Sequence, residues 1–248
     1  MLLKYYGNFT NLSILILNIN NTTSLIAKTP KLCYSILMSD YIRARSDEHK
    51  EERMTQIKEA TAELFESAPY SEITLTTIAE KLGWSRANLY KYVTTKEEII
   101  LEIAADKMEA YYGALLAALP EGCNFSTEVI AEVWAGILNA NQDYMRYVSY
   151  LNPVIETNVT VDRLAIFKKK YYDLANAIRD RLAAMLKIPA ETAYKIQLDV
   201  LFYASSNAVC CYKNQLVQEA LKKINITPPA MDFYKDMKVF LKMRLEWK

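Results

Sequence analysis

The chain has 248 residues, of which 52% are hydrophobic and 24% charged, and its formal net charge is only +1. This length accommodates one large or two small domains, with ample apolar side chains for a buried core. The near-zero charge excludes a polycation that binds nucleic acid by bulk attraction, so any DNA contact must come from local charge placement. The 5 glycines and 7 prolines are too few for an all-β protein with many tight turns.

The chain offers little material for catalysis or metal binding. Its one histidine, His49, lies in a charged run at the start of a predicted helix, and the four cysteines form no Cys-x-x-Cys pair. We therefore predict no enzymatic activity, no metal site and no cofactor, and the unpaired cysteines indicate a reduced, cytoplasmic setting. A small helical enzyme that uses a buried tyrosine or cysteine is the alternative from another class of protein.

The first 37 residues differ in composition from the rest of the chain. Residues 1–37 contain three lysines and no acidic residue, and their apolar run at 12–19 is far shorter than the roughly 20 residues that span a bilayer. Met38 is followed at once by a polar, charged sequence, as at an ordinary protein start. We therefore predict that residues 1–37 are an extension absent from the native protein or, alternatively, a disordered segment.

From about residue 46 onward, the apolar residues recur at helical spacing. The first predicted helix places Ile57, Ala60, Leu64 and Phe65 on one face at steps of three and four. The predicted helices cover about 47–67, 75–82, 86–93, 96–119, 126–140, 141–152, 161–186, 190–212 and 230–246. The fold class predicted from this pattern is all-α.

Residues 75–94 carry a helix–turn–helix pattern. Ala79 is the small residue where two helices touch, Gly83 supplies the positive φ that the turn needs, and Ser85 is an N-cap for the second helix. The inward-facing apolar positions are filled by Ile78, Leu82, Trp84, Leu89 and Tyr92. Because these features occur together at the correct spacing, we predict a DNA-binding motif, within a domain at 38–95.

The residues after the turn are suited to contact DNA. No acidic residue lies between Lys81 and Lys96, Arg86 has the length to reach a guanine edge, and Asn88 suits adenine. The predicted DNA-binding residues are Thr74, Thr76, Ser85, Arg86, Ala87, Asn88, Tyr90, Lys91 and Lys96. A solvated helix face is the alternative for the basic residues. The arm at 41–45 either reaches a minor groove or is a disordered tail.

The second helical block, 96–248, is rich in aromatic residues at helical spacing. Such rings usually form core; the alternative is that, as a set, they line an apolar cavity in which phenolic groups orient a ligand. The predicted ligand-binding residues are Tyr112, Trp134, Tyr147, Phe167, Tyr171 and Phe202. The run Lys168–Lys170 is predicted to be a solvated helix face, and Cys210 and Cys211 are predicted to be small buried residues rather than a thiol sensor.

The run ITLTTIAEKLGWSRANLYKYVTTKEEII, preceded by the helix RMTQIKEATAELFE, resembles the amino-terminal domain of the TetR/AcrR family of bacterial transcription regulators. Three positions depart from the family pattern. Trp84 stands where a smaller aliphatic residue is usual, Lys91 where histidine is common, and Val93 where phenylalanine is common. The last substitution puts local packing in question but not the fold.

This resemblance implies a larger helical domain that binds a ligand and forms a homodimer through about 190–212 and 230–246. The implied function is repression: the dimer binds a palindromic double-stranded DNA operator and is released by a small, largely apolar or aromatic effector that shifts the helix at 96–119. No membrane is involved. The alternative is a small-molecule sensor or carrier of the same fold that does not bind DNA.

Overall fold

The computed structural model describes residues 49–211 and 215–247, and Thr55–Lys248 forms one compact unit. The described residues are helical and contain no strand, so the predicted all-α fold class is confirmed. The extension at 1–37 and the arm at 41–45 lie outside the described residues, and both therefore stay predictions.

The described α-helices follow the predicted order with one addition. They are α1 (49–67), α2 (Leu75–Leu82), α3 (Arg86–Leu89), α4 (Lys96–Ala118), α5 (Thr127–Ala140), α6 (Gln142–Tyr150), α7 (Val161–Leu186), α8 (Ala190–Cys211), α9 (Gln215–Lys223) and α10 (Phe233–Glu246). A 3-10 turn, Tyr70–Glu72, lies between α1 and α2, and a π-helical turn, Leu151–Ile155, follows α6.

The helix N-termini form where the sequence provides capping hydroxyls. Thr74 caps α2 and exchanges hydrogen bonds with Thr77 in a full capping box. Thr95 caps α4 by accepting from the Glu98 N–H at 3.1 Å, as predicted. In a capping box, the Glu98 carboxylate would accept from the N–H of Thr95. It accepts instead from the N–H of Thr94, the residue before the cap, at 3.0 Å.

The larger helical block is built around α4. This helix packs against α5, α6 and α7, while α10 lies along α5 and α8 packs between α6 and α7. The α4 side chains Met108 and Leu115 have no exposed surface, and Tyr111 and Tyr112 are almost as deeply buried. The helices therefore enclose one continuous apolar core, with α8 and α10 presenting their outer faces on the surface.

The structure corrects the predicted helices at two places in this block. The predicted helix at 141–152 ends as an α-helix at Tyr150, and the chain then continues through Pro153 as the π-helical turn rather than breaking there. Helix α9 was not predicted as a separate element. Its apolar residues Leu216, Val217, Ala220 and Leu221 recur at helical spacing, but none of its residues is buried.

Candidate nucleic-acid interface and ligand cavity

The turn between α2 and α3 has the geometry that its glycine predicts. Gly83 has a φ of 66° and a ψ of 27°, in the left-handed region. The N–H of Gly83 donates to the Glu80 carbonyl at 3.0 Å, and the N–H of Trp84 donates to the Ala79 carbonyl at 2.8 Å. These are the two hydrogen bonds of a Schellman motif, which ends α2 and turns the chain towards α3.

Helix α3 is shorter than predicted. Its α-helical residues end at Leu89 rather than at Val93, because the N–H groups of Lys91 and Tyr92 bond to carbonyls three residues earlier, in the 3-10 manner. Leu89 and Val93 are nevertheless buried, with 0% and 2% of their surface exposed. The smaller Val93 therefore keeps the inward position that phenylalanine commonly occupies in the family.

The outer face of α3 and the turn that follows presents a compact polar surface. Ser85, Arg86, Ala87 and Lys91 are exposed, Tyr90 is 47% exposed, and Asn88 is half-buried. The Arg86 guanidinium donates to the Tyr90 hydroxyl at 3.2 Å, one helical turn away. Within the described residues, neither Arg86 nor Lys91 has an acidic partner, so both charges are available to an anionic ligand.

Two of the basic residues in this region are already engaged. Lys81 forms an ion pair of 2.7 Å with Glu63 on α1. The Lys96 ammonium donates to the carbonyls of Tyr70 at 3.0 Å and Ile73 at 2.7 Å, and it lies 4.0 Å from the centre of the Tyr70 ring. Burial lowers the pKa of Lys96. Lys96 therefore joins α4 to the 3-10 turn, and its predicted phosphate contact stays a prediction.

The two predicted threonine contacts lie at the start of α2. Thr74 is exposed, but its hydroxyl oxygen accepts from the Thr77 N–H at 3.1 Å as the helix cap. Thr76 is half-buried in the first turn of the same helix. A phosphate at this end of α2 would contact the free N–H groups of the first turn and the capping hydroxyl of Thr74.

A cavity of about 260 Å³ opens between α6, the π-helical turn, α7 and α8. Its walls are tyrosine-rich and largely apolar, with one acidic and one basic side chain. The lining residues are Tyr144, Val148, Leu151, Asn152, Glu156, Phe167, Lys168, Tyr171, Tyr172, Tyr194, Leu198, Leu201 and Phe202. This size and chemistry suit a small ligand with an apolar or aromatic body.

The six predicted ligand residues divide into two groups. Phe167, Tyr171 and Phe202 line the cavity. Tyr112, Trp134 and Tyr147 do not line it; they are 1%, 0% and 2% exposed and form core instead. The Trp134 indole N–H donates to the buried Tyr111 hydroxyl at 2.9 Å, which satisfies it within the core.

The polar pair of the cavity was missed by the sequence analysis. Lys168 was predicted to lie on a solvated face, but its ammonium donates to the Glu156 carboxylate at 2.6 Å. Glu156 ends the π-helical turn, where its N–H donates to the Leu151 carbonyl at 2.9 Å. Tyr194 on α8 was also missed, and no feature of its sequence position distinguishes it from a core tyrosine.

Helix α6 joins the cavity to the predicted DNA-binding region, which comprises α1, α2 and α3 with the turns between them. One side of α6 lines the cavity with Tyr144 and Val148. On its other side, Tyr147 stacks on Phe65 of α1 with ring centres 4.3 Å apart, and Tyr150 stacks on Tyr70 at 5.3 Å. A displacement of α6 by a ligand would therefore act directly on the end of α1 and on the 3-10 turn.

A second connection reaches the start of α4. The buried carboxylate of Glu98 lies 3.5 Å from Arg163 on α7, which also pairs with Glu102 at 3.2 Å. The Thr95 hydroxyl donates to the Asn158 carbonyl at 3.5 Å, two residues beyond Glu156. The segment that holds the cavity's carboxylate is thus in contact with the cap of α4.

The outer faces of α8 and α10 carry large apolar side chains. Phe202 and Val209 on α8, and Val239 and Met243 on α10, are each at least 45% exposed. Tyr203 and Phe240 stack between the two helices with their ring centres 4.0 Å apart. This face coincides with the predicted dimer helices. Cys210 is exposed in the single chain, and its predicted burial at the dimer helix stays a prediction.

Two absences apply to the described part of the chain. No helix there is both long enough and apolar enough to cross a lipid bilayer. Among the same residues, no three histidine, cysteine, aspartate or glutamate side chains gather where they would hold a metal ion.

Comparisons with known proteins match both blocks of the chain. A family model described as "Bacterial regulatory proteins, tetR family" matches residues 57–103, and one described as "Tetracyclin repressor-like, C-terminal domain" matches residues 105–246. No curated protein sequence matches.

Solved structures share the fold at low sequence identity. The TetR family regulator PfmR from Thermus thermophilus is 16% identical, with a TM-score of 0.50 over 77% of this chain and 97% of that chain. The fatty acid degradation regulator FadR from Bacillus halodurans is 13% identical, with a TM-score of 0.50 over 78% of this chain and 94% of that chain. With more than half of its length matched by a single family model, this chain belongs to the TetR family of bacterial regulatory proteins.

Proposed function

We propose that this protein is a cytoplasmic transcriptional repressor, which binds a palindromic operator as a homodimer and is released by a small, largely apolar or aromatic effector. The observation that carries this proposal is the exposed face of α3. Arg86 on α3 and Lys91 in the turn that follows are exposed and have no acidic partner among the described residues. Ser85 caps this helix, and the buried Leu89 anchors it. Arginine suits a guanine edge, and lysine suits phosphate.

The homodimer would bring two copies of α3 to one DNA site. The apolar outer faces of α8 and α10 support a four-helix interface between protomers. A dimer that holds its two reading helices roughly 34 Å apart fits successive major grooves of a palindrome. We therefore assign Arg86 and Asn88 to contacts with bases. The predicted contacts with phosphates and the adjoining DNA surface are assigned to Thr74, Thr76, Ser85, Ala87, Tyr90, Lys91 and Lys96.

The effector would act by moving helices that contact both the cavity and the DNA-binding region. The sequence predicts that the effector shifts α4. The contacts that Thr95 and Glu98 make with Asn158 and Arg163 support this prediction. The cavity lining adds α6, through Tyr144 and Val148. A coupling free energy of about 1–3 kcal/mol between effector and operator is sufficient for release.

DNA binding tests the proposal against the alternative, a sensor or carrier of this fold that does not bind DNA. The probe is DNA from upstream of the protein's own gene, titrated by fluorescence anisotropy at several salt concentrations. We expect saturable binding that weakens as salt rises. The absence of such binding would favour a sensor or carrier that does not bind DNA. Loss of the protein from cells should raise expression of the regulated gene; a fall in expression would indicate an activator.

Two α3 variants separate base contact from phosphate contact. Arg86→Ala should weaken the specific site more than random DNA, by about 1–3 kcal/mol per base contact. Lys91→Ala is the matched control, since both residues are exposed cations of α3 and its turn, and it should weaken both DNAs alike. An equal loss with Arg86→Ala on both DNAs would make Arg86 a phosphate contact.

A further inference from the structure

Two of the residues that line the cavity, Lys168 and Glu156, form an ion pair. The Lys168 ammonium lies 2.6 Å from Glu156 Oε1 and 6.0 Å from the centre of the Tyr171 ring. The rings of Tyr144, Tyr172 and Tyr194 also line the cavity. A carboxylate and aromatic rings in one cavity are the groups that recognise an ammonium ligand.

The two partners of this ion pair are unequally exposed. The Glu156 side chain is 14% exposed, whereas that of Lys168 is 35% exposed. The backbone of Glu156 is held by its hydrogen bond to the Leu151 carbonyl, at 2.9 Å. Lys168 has a long, flexible side chain that reaches solvent when it rotates, so the lysine is the partner that a ligand displaces at lower cost.

This difference in exposure has different consequences for anionic, cationic and neutral ligands. An anion that bound Lys168 would draw it from Glu156 and leave a largely buried carboxylate without a partner, which costs several kcal/mol. A cation that replaced Lys168 would leave the carboxylate paired and release the lysine into water. A neutral apolar ligand would leave the pair as it is.

We infer that the effector is a small amphiphilic cation, with an ammonium group on an apolar or aromatic body, which displaces Lys168 from Glu156. The inference rests on the effector role proposed above for the cavity and names the chemical class of that effector. Displacement of Lys168 breaks the link between α7 and Glu156, which lies two residues before the Asn158 carbonyl that contacts the cap of α4. Ligand exchange at this pair therefore takes place at a segment in contact with the DNA-binding region.

Three probes with one shape test the charge of the ligand. Benzyltrimethylammonium is the cation, neopentylbenzene is its neutral carbon isostere, and phenylmethanesulfonate is the anion on the same benzyl body. Binding to the full chain is measured by calorimetry and by thermal shift, without DNA. We expect the cation to bind and the other two probes to bind at least about tenfold more weakly, the ratio that 1.4 kcal/mol represents.

Variants of the pair should change cation binding in opposite directions. Glu156→Gln removes the charge but keeps the shape, and it should weaken benzyltrimethylammonium binding about tenfold or more. Lys168→Met removes the internal competitor and should tighten that binding severalfold. Lys169→Met is the matched control: Lys169 is adjacent on α7, 78% exposed and paired with Asp173 outside the cavity lining, so its loss should leave binding unchanged.

Several results would overturn the inference. If the sulfonate binds and Lys168→Met abolishes that binding, the effector is anionic. Equal binding of the cation and its neutral isostere, unaffected by Glu156→Gln, would indicate an apolar effector, and binding of no probe would remove the cation site. If Lys168→Met does not fold, Glu156→Gln alone decides. Because these measurements contain no DNA, their failure is distinct from a failure of operator binding.

Discussion

Replacing Gly83 by alanine tests the turn between α2 and α3, because Gly83 has a φ of 66°. Apart from the glycine and its two chain neighbours, no atom lies within 4 Å of the position where a Cβ would lie. The effect is therefore conformational rather than steric. A left-handed residue with a Cβ costs about 1–2 kcal/mol, and the reduced entropy of the unfolded chain returns about 0.4–1 kcal/mol. The expected net loss in the free energy of unfolding is about 1 kcal/mol.

Gly113→Ala is the control, and it should change the free energy of unfolding in the opposite direction. It is exposed in the middle of α4, and a Cβ there also meets nothing within 4 Å. Alanine at an ordinary helical position is more stable than glycine by about 0.5–1 kcal/mol, so Gly113→Ala should stabilise the protein. The two variants should therefore differ from each other by about 1.5–2 kcal/mol, which follows from the sum of these two effects.

Urea unfolding of the two variants measures this difference, at one fixed protein concentration because a dimer's stability depends on it. Midpoint temperatures offer a second readout, at about 2–4 °C per kcal/mol for a chain of this size. If Gly83→Ala were as stabilising as Gly113→Ala, the left-handed turn would be refuted, and with it the helix–turn–helix geometry.

Three further changes test the junction, the dimer face and the buried tyrosines. Phe65→Ala should lower the free energy of unfolding by about 3–5 kcal/mol, since the ring is only 5% exposed, while Val161→Ala, at an 82% exposed position, should change it by less than about 0.5 kcal/mol. Val239→Glu combined with Met243→Glu should give a monomer by light scattering, whereas Val161→Glu should not. Burial raises the pKa of Tyr171 to about 12. The contribution of its protonated phenol to the free energy of unfolding is therefore fully present below pH 10.0 and is lost as the pH rises through about 12. Tyr171→Phe should therefore flatten the alkaline loss of stability.

Each of these expectations has a contradicting result. A small effect of Phe65→Ala would mean that α1 is not packed on α6 as described. A dimer that survives both glutamates on α10 would place the interface elsewhere. An alkaline unfolding curve that Tyr171→Phe leaves unchanged would mean that Tyr171 titrates as an ordinary exposed phenol.

The parts of the DNA-binding region that depend on neighbours in sequence could be predicted. The left-handed Gly83, the Ser85 cap and the Thr74 cap each follow from one side chain and the backbone within a few residues of it. The role of Lys96 could not, because its carbonyl partners on Tyr70 and Ile73 lie 26 and 23 residues away in the chain. Only the folded arrangement brings those carbonyls to the ammonium.

The ligand cavity was predicted in kind but only partly in its residues. Rings at helical spacing face inward whether they fill a core or line a cavity, so periodicity did not separate Trp134 from Phe167. The ion pair of Glu156 and Lys168 depends on the π-helical turn, Leu151–Ile155. Because Pro153 was interpreted as a helix break, the sequence offered no register for the residues that follow it.

Dimeric recognition of a palindrome is tested most directly by changing the distance between its half-sites. The DNA segment that the protein protects in footprinting is compared, by anisotropy, with a version that carries about five additional base pairs at its centre, half of a 10–10.5 bp helical turn. Half a helical turn moves the second half-site to the opposite side of the duplex, so we expect the affinity for the lengthened site to fall to that for random DNA. Equal affinity for the two sites would contradict a rigid dimer with two α3 helices at fixed spacing.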